Sequence, residues 1–358
     1  MIFKKAVIAG YLSLNITSSL HDAVPSEPGE RGASQIGQAA LSLGGLANLA
    51  LALHHLGLPT GLIGKVGDDI FGDVIVKVIK DKAPTLVEGL ILDPSVPTAY
   101  QLNLGESHYY FQGANKSFYA SDLRRETLRE GDLFHFGHPA LMRSIYRGDG
   151  GELVSILQRV RREGLSTSLD FGLPEVGGSA GGVDWSGVLE NTLPLVDVLI
   201  ADIPQLLFFL KPEGDQQYSE YGHVDAVEGL PPGLLHELSE RVMKFGVKIL
   251  MVNLREHGFY LRTNGEHAWK RPGRGLSGLG EAWIDREIRE PVFGSGDPEI
   301  INDYDHGLAG FLVGLLADSD PEIALQLAAA ASGLENQEAL CSFWDANPEI
   351  RRLIEASS

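Results

Sequence analysis

Apolar residues recur along the chain with a helical spacing that alternates with short apolar runs. Leu46, Ala50 and Leu53 share one helical face, and Gly57 marks the end of that helix. A short apolar run at 60–64 then predicts a buried strand. The alternation continues with helical spacing at Phe71, Ile75, Val78 and Ile79 and at Leu153, Ile156, Leu157 and Val160, and with strands at 165–170, 196–200 and 248–252. Repeated strand–helix units predict an α/β fold with a mostly parallel central sheet and helices on both faces.

Two segments break this alternation. Residues from about 15 to 43 are polar and rich in turn-forming proline and glycine. Residues 97–112 alternate apolar and polar side chains, turn at Gly105 and alternate again, which is typical of a hairpin. Together they predict a small β layer beside the main sheet, able to cover a pocket. We therefore expect one α/β domain over residues 1–358, with lid segments inserted at about 11–43 and 97–112.

The charge and cysteine content limit the classes of partner. The formal net charge is −19 at pH 7, and no run of basic residues occurs. Because affinity for nucleic acid comes largely from Lys and Arg on phosphates, we expect no nucleic-acid partner and no membrane partner. The single cysteine, Cys341, forbids an intramolecular disulfide. That indicates a reducing, cytoplasmic setting.

A glycine-rich helix start carries the first chemical signal. Gly44 and Gly45 precede the first helix, where free N–H groups attract polar oxygens, and Asn48 lies one turn further on. The segment 64–72 follows with the letters GKVGDDIFG. The glycine pair alone is typical of an ordinary turn, whereas the whole run resembles the first signature of the ribokinase-like (PfkB) carbohydrate kinases. Segments similar to an unassigned bacterial subgroup of those sugar kinases lie at 112–115, 134–139, 168–170 and 184–185.

The resemblance implies a ribokinase-like fold with a small β lid. It also implies transfer of the ATP γ-phosphoryl group to a hydroxyl of a sugar or nucleoside, with ATP and Mg²⁺ as cofactors and a possible homodimer through the lid. The substrate-binding residues that it implies are Asn15, Gly44, Gly45, Asn48, Asn115 and Asp170. Asn15 stands where the family carries an Asp. For Asp170, at the end of a predicted strand, a helix cap or a surface turn is an equally good interpretation.

The family's second signature has two candidates in this chain. The letters Gly-Ser-Gly-Asp occur at 294–297, whereas Asn302-Asp303-Tyr304-Asp305 directly precedes an apolar helix with small residues at Ala309 and Gly310. Counting back from that helix places Asp305, rather than Asp297, at the family's catalytic Asp. The glycines that cradle the transferring phosphoryl group are then replaced by residues 302–304. Asp303 adds negative charge where phosphate charge must be stabilised.

Further departures fall on the side that binds the nucleotide in the family. The predicted nucleotide-binding residues are Asp202, Gln205, Asn253, Arg255, Gly258, Asn302, Asp303 and Tyr304. Gln205 stands in place of the family's acid, and of the glycine-rich nucleotide loop only Gly258 is kept. The histidines show no recurring metal-ligand spacing, so we assign no residue to a metal. The sequence thus leaves two hypotheses, a sugar kinase with a degraded anion hole and a catalytically weak or inactive homologue that binds sugar or nucleotide as a regulator.

Overall fold

The computed structural model describes residues 4–21, 35–105, 107–174, 180–210, 231, 233–291 and 304–332. Asp297, Asn302, Asp303 and Cys341 lie outside these residues. The strands are β1 (Ala6–Gly10), β2 (Leu12–Ser18), β3 (Leu20–His21), β4 (Gln35–Ile36), β5 (Ala40–Gly45), β6 (Thr60–Gly67), β7 (Leu90–Asp93), β8 (Tyr100–Leu104), β9 (Ser107–Phe111), β10 (Leu133–Gly137), β11 (Ser166–Asp170), β12 (Val198–Asp202), β13 (Ile249–Asn253), β14 (Phe259–Thr263) and β15 (Glu287–Glu290). The helices are α1 (Leu46–His55), α2 (Ile70–Lys82), α3 (Arg125–Arg129), α4 (Arg143–Tyr146), α5 (Gly151–Arg162), α6 (Trp185–Thr192), α7 (Ile203–Leu210), α8 (Leu234–Lys244), α9 (Tyr304–Leu316) and α10 (Pro321–Ser332).

The central sheet has the order β15-β14-β13-β12-β11-β10-β1-β6-β7 among the described strands. Each neighbouring pair along the row β13-β12-β11-β10-β1-β6-β7 is parallel. Strands β14 and β15 extend the sheet antiparallel beyond β13. The prediction of a mostly parallel sheet with helices is therefore confirmed. The antiparallel edge was not predicted.

Helices cover both faces of this sheet, because the buried strands present apolar side chains on each side. Along β1, Val7 belongs to one buried core and Ile8 to the other. Helices α1, α9 and α10 supply the core on the side of Ile8, and α5, α6 and α8 supply the core on the side of Val7. Successive side chains of a strand point to opposite faces of the sheet, so a strand buried on both faces contributes to both cores.

A second, smaller sheet with the order β5-β2-β8-β9 stands apart from the central one. Strands β2 and β8 pair in parallel, and β8 and β9 form the hairpin that the alternation over 97–112 predicts. The chain passes from β1 into β2 across the single residue Tyr11, so this sheet begins at the carboxyl edge of the central one. The prediction of a small second sheet is confirmed. Among the helices in the described ranges, none combines the length and the apolar character needed to cross a bilayer.

Candidate active site

Polar side chains gather where four neighbouring parallel strands end. Asp170, Asp202 and Asn253 are the last residues of β11, β12 and β13, and His138 directly follows β10. The first turn of α9, with Tyr304 and Asp305, meets this edge through the contact described next. Ligands of open α/β sheets bind outside the carboxyl ends of the strands. This edge is therefore the candidate active site.

Asp170 is the centre of the group and is 1% exposed. Its Oδ2 accepts a hydrogen bond from the Tyr304 hydroxyl at 2.7 Å, and its Oδ1 accepts one from the Gly172 N–H at 2.9 Å. The His138 Nε2 lies 3.8 Å from the same Oδ2. A buried carboxylate needs such partners, since an unpaired one would carry a large desolvation cost.

Tyr304 keeps its proton in this setting. Burial raises the pKa of its phenol well above the usual 10, and the charge of Asp170 and the hydrogen bond to it raise that pKa further. Asp202 and Asp305 act on the phenol in the same direction. Tyr304 is therefore a neutral donor to Asp170, and the charges of Asp202 and Asp305 also act on it.

Asp202 holds a proton more readily than an ordinary aspartate. Burial raises its pKa to about 6, and the charge of Asp170 adds to that rise. The Gln205 N–H, which donates to Asp202 Oδ1 at 2.8 Å, and the charge of Arg255 act in the opposite direction. Near neutral pH, Asp202 is thus a largely ionised carboxylate that a small drop in pH neutralises.

His135 lies deeper in the sheet, on the strand before His138. Its Nδ1 is 2.9 Å from the Ser168 hydroxyl, and burial lowers its pKa to about 4, against the charge of Asp170. The imidazole is therefore neutral, and it is completely buried. The sequence predicts both histidines to be packing or surface residues that flank a strand end near the cleft, and His138 lies beside Asp170 at that end.

Most of the residues predicted to bind substrate lie where β2 pairs with β5 and β5 leads into α1, a region that we call the base of the small sheet. Ser13 and Asn15 point to one side of β2, and the Ser13 hydroxyl donates to Asn15 Oδ1 at 3.2 Å. A Cβ on Gly44 would lie 2.4 Å from that Oδ1, so the glycine backbone lies directly against Asn15. Asn48 donates to the Leu43 carbonyl at 3.2 Å. Ser13 was missed, although its spacing of two from Asn15 on a strand places both on one face.

Gly45 sets the direction in which α1 leaves this base. Its φ of 68° and ψ of −147° are open to glycine almost alone, and a Cβ would lie 2.1 Å from the Tyr11 carbonyl oxygen. That oxygen accepts from the N–H of Leu46, the first residue of α1.

Tyr11 joins the small-sheet base to the strand-end group. Its N–H donates to the Gly137 carbonyl at 3.2 Å, and its ring centroid lies 6.3 Å from that of His138.

Asn115 serves the backbone of the small sheet. It is fully buried, its Oδ1 accepts from the Leu12 N–H at 3.2 Å, and its Nδ2 donates to the Leu12 carbonyl at 2.8 Å. The amide thus pairs with Leu12 as a neighbouring strand would. Its predicted contact with substrate stays a prediction.

Among the residues predicted to bind nucleotide, Asn253 accepts the Arg255 N–H at 2.6 Å. The Leu254 N–H donates to the Gly258 carbonyl at 2.8 Å, which closes the turn between β13 and β14. The Gln205 side chain faces elsewhere and lines a small apolar cavity with Phe171 and Phe209. Within the described ranges, no three His, Cys, Asp or Glu side chains group so as to hold a metal ion by themselves. Tyr304 and Asp305 are in the first turn of α9, while Asn302 and Asp303 lie outside the described residues.

Comparison with known proteins identifies the fold. Arabidopsis thaliana ribokinase in complex with ribose and ATP has a TM-score of 0.65 at 18% identity, covering 96% of this chain and 99% of that chain. Fructokinase with bound ATP from Xylella fastidiosa has a TM-score of 0.60 at 16% identity, covering 99% and 94%. This is a ribokinase-like fold. The resemblance indicated by the glycine-rich start and the 64–72 segment is confirmed.

The sequence matches to curated fructokinases cover a smaller part of the chain than the matches to solved structures. Probable fructokinase-5 of Arabidopsis thaliana is 30% identical over 138 residues, which are 37% of this chain and 42% of that protein. The chain thus spans less than half the length of this curated relative. No protein-family model matches the chain.

Proposed function

We propose that this protein is a sugar kinase that transfers the γ-phosphoryl group of ATP to a hydroxyl of a sugar or nucleoside. The observation that carries the proposal is the position of Asp305. It lies in the first turn of α9, next to a tyrosine that is bonded to the carboxyl end of β11. The ATP-bound ribokinase and fructokinase structures with the same fold support ATP as the donor.

In the proposed reaction, Asp305 accepts the proton of the acceptor hydroxyl. The hydroxyl oxygen then forms a bond to the γ-phosphorus, the bond from that phosphorus to the β,γ-bridging oxygen breaks, and ADP leaves with the bonding pair. Developing negative charge on the phosphoryl group would lie near the start of α9, and a helix N-terminus stabilises such charge. Asn15, Ser13, Gly44 and Asn48 would orient the sugar hydroxyls through neutral hydrogen bonds.

The carboxylates suit a magnesium ion. Mg²⁺ usually keeps several waters and takes one or two carboxylates together with substrate phosphates, so a three-residue protein cluster is not required. Asp202 is largely ionised at neutral pH, with Oδ1 held by one backbone donor. Asp202 would hold the ion beside the phosphates, and the ion would offset their charge when bound.

A second function, a weak or inactive kinase homologue that binds its ligands as a regulator, has one specific observation in its favour. Tyr304 stands at a predicted anion-hole position, where a glycine would leave room, and its phenol donates to Asp170, with the charges of two further carboxylates acting on it. These negative charges oppose the approach of a phosphate. We therefore expect phosphotransfer to be slower than in relatives with a glycine anion hole.

A thermal-shift screen with sugars, nucleosides and ATP–Mg²⁺, followed by a phosphotransfer assay on each hit, tests the proposal. The matched variant restores Gly-Ser-Gly at 302–304 by N302G, D303S and Y304G. Loss of one oxyanion-hole donor in an enzyme costs roughly 10²–10³ in rate, so the restored variant should gain on that order. Turnover of the wild type at about 1–100 per second, the ordinary kinase range, would contradict the degraded anion hole. Sugar binding without transfer in both proteins would favour the regulator.

We further propose that the chain acts as one unit, with the small sheet as a lid that also forms a homodimer. Leu41 on β5 and Tyr109 on β9 are 58% and 59% exposed, so the two edge strands of this sheet carry large apolar side chains to solvent. Such side chains on sheet edges favour pairing with another chain. A monomer in sedimentation velocity at micromolar concentration would contradict the dimer.

A further inference from the structure

We infer that Tyr304 is a positioning residue, whose hydrogen bond to Asp170 fixes the first turn of α9 and with it the direction of Asp305. The inference rests on the proposed function, because it assigns Asp305 the role of base. It concerns residues that are 134 positions apart in the chain and belong to two different elements, α9 and the end of β11.

The body of α9 is fixed by packing that does not involve Tyr304. A Cβ on Gly310 would lie 2.3 Å from the Leu327 carbonyl oxygen on α10, and one on Gly314 would lie 2.7 Å from the Cα of Ala324. The two helices therefore touch backbone to backbone over the later turns of α9. This backbone-to-backbone approach begins at Gly310, whereas in the first turn a Cβ on Gly307 would meet only side chains, the Phe259 ring at 2.6 Å and the Ser332 Cβ at 3.2 Å. Helix ends fray more readily than helix bodies.

The phenol supplies a fixed point at the start of the helix. Successive residues on an α-helix are separated by about 100° around the axis. If the Tyr304 side chain is held on Asp170, the rotation of the first turn is set, and so is the side on which Asp305 leaves the helix. Asp170 is itself held by the Gly172 N–H and is 1% exposed, so the anchor belongs to the rigid sheet edge.

The hydrogen bond from Tyr304 to Asp170 is also stronger than one between two neutral groups. Its donor is a neutral phenol whose pKa is raised by burial and by Asp170, and its acceptor is a carboxylate. Hydrogen bonds to charged groups contribute about twice as much as neutral pairs. Removal of the hydroxyl alone, by Tyr304→Phe, keeps the ring that packs on the core and removes only the anchor.

Hydrogen exchange of the full-length protein tests the anchor without any need for catalysis. The amides of Leu308, Ala309 and Gly310 bond to carbonyls of the first turn, so their exchange reports its opening. In Y304F they should exchange on the order of ten times faster, while Val313–Leu316 stay unchanged. The matched control is Y260F, which removes another phenol–carboxylate bond, from Tyr260 to Glu287 at 3.0 Å, on the opposite core. It should leave Leu308–Gly310 unchanged.

Two further readouts separate positioning from packing. In a D170N background the effect of Y304F on exchange should shrink, because the phenol then faces only a neutral acceptor. With a sugar that the wild type phosphorylates, Y304F should lower kcat about tenfold and change the sugar KM by less than about threefold. Phenylalanine still fills the anion-hole position, so this loss is not offset by the gain that we expect when glycines are restored at 302–304. Equal exchange at 308–310 in Y304F and wild type overturns the inference. If the wild type shows no phosphotransfer, the proposed function fails, and the exchange comparison still decides whether Tyr304 anchors the helix.

Discussion

Asp170 and Asp202 end neighbouring strands, and the charge of one acts on the proton affinity of the other. Burial comes first among the causes that raise the pKa of Asp202 to about 6, and Asp170 adds to it. Asp170 accepts hydrogen bonds from the Tyr304 hydroxyl and the Gly172 N–H. The site therefore contains, beside Asp170, an aspartate that gains or loses its proton near pH 6.

The unfolding free energy of the protein should depend on pH because of the raised pKa of Asp202. Folded Asp202 binds its proton below about pH 6, whereas its ordinary value is 3.8. The folded state thus holds the extra proton between these two values, and the stability contributed by this group falls as pH rises through that window. Asp202→Asn removes the cost of burying the charge.

We expect D202N to be close to wild type in unfolding free energy at pH 4 and more stable by roughly 1–3 kcal/mol at pH 8. Urea unfolding at several pH values measures the difference. D285N is a control at an exposed aspartate that pairs with Arg262, and its difference from wild type should not grow above pH 6. A D202N difference that is the same at pH 4 and pH 8 would contradict the assignment.

At the scale of elements, the junction of β5 and α1 determines where the small sheet meets the central one. Gly45 combines a positive φ with a close approach to the Tyr11 carbonyl, whereas Gly57 after α1 has a φ of 83° and no heavy atom within 4 Å of the place where a Cβ would stand. Substitution of Gly57 therefore introduces backbone strain alone, whereas substitution of Gly45 introduces both strain and steric overlap.

We expect G57A to lose about 1–2 kcal/mol of unfolding free energy from backbone strain alone. G45A should lose roughly 2–5 kcal/mol, because the overlap with Tyr11 adds to the strain. It should also weaken sugar binding, since Gly44 and Asn48 flank the shifted backbone. Thermal unfolding and sugar titration of both variants provide the measurement, and equal losses in the two would show that the close approach is unimportant.

The sequence predicts four of the nine strands of the central sheet, β6, β11, β12 and β13, because each is a short buried run, and it predicts several helices from their clear periodicity. The strand predicted at 165–170 forms at Ser166–Asp170, and the helix with Leu153, Ile156 and Val160 on one face forms at Gly151–Arg162. The antiparallel edge strand β15 has a single apolar residue, Ile288, among three charged ones, so it carries no apolar pattern that would predict a strand. The length and spacing of an apolar run thus decide which elements are predictable.

At the scale of the whole molecule, the site depends on contacts that no local pattern contains. The glycine-rich start and Asp305 are identifiable from motifs, because each lies beside a helix whose spacing can be counted. The bond from Tyr304 to Asp170 joins residues from distant parts of the chain and follows only from the strand order. Asn115 shows the same limit, because its amide pairs with Leu12, 103 residues earlier, and nothing near Asn115 indicates that partner.

The central claim is that Asp305 is the base of a sugar kinase, and single-turnover phosphotransfer with ATP–Mg²⁺ and a binding sugar tests it most directly. Asp305→Asn and Asp297→Asn should be compared with the wild type in the same assay. We predict that D305N lowers the rate by about 10²–10⁴, the usual contribution of a general base, while sugar affinity changes little and D297N stays close to the wild type. Loss of transfer in D297N, with D305N unaffected, would contradict the account.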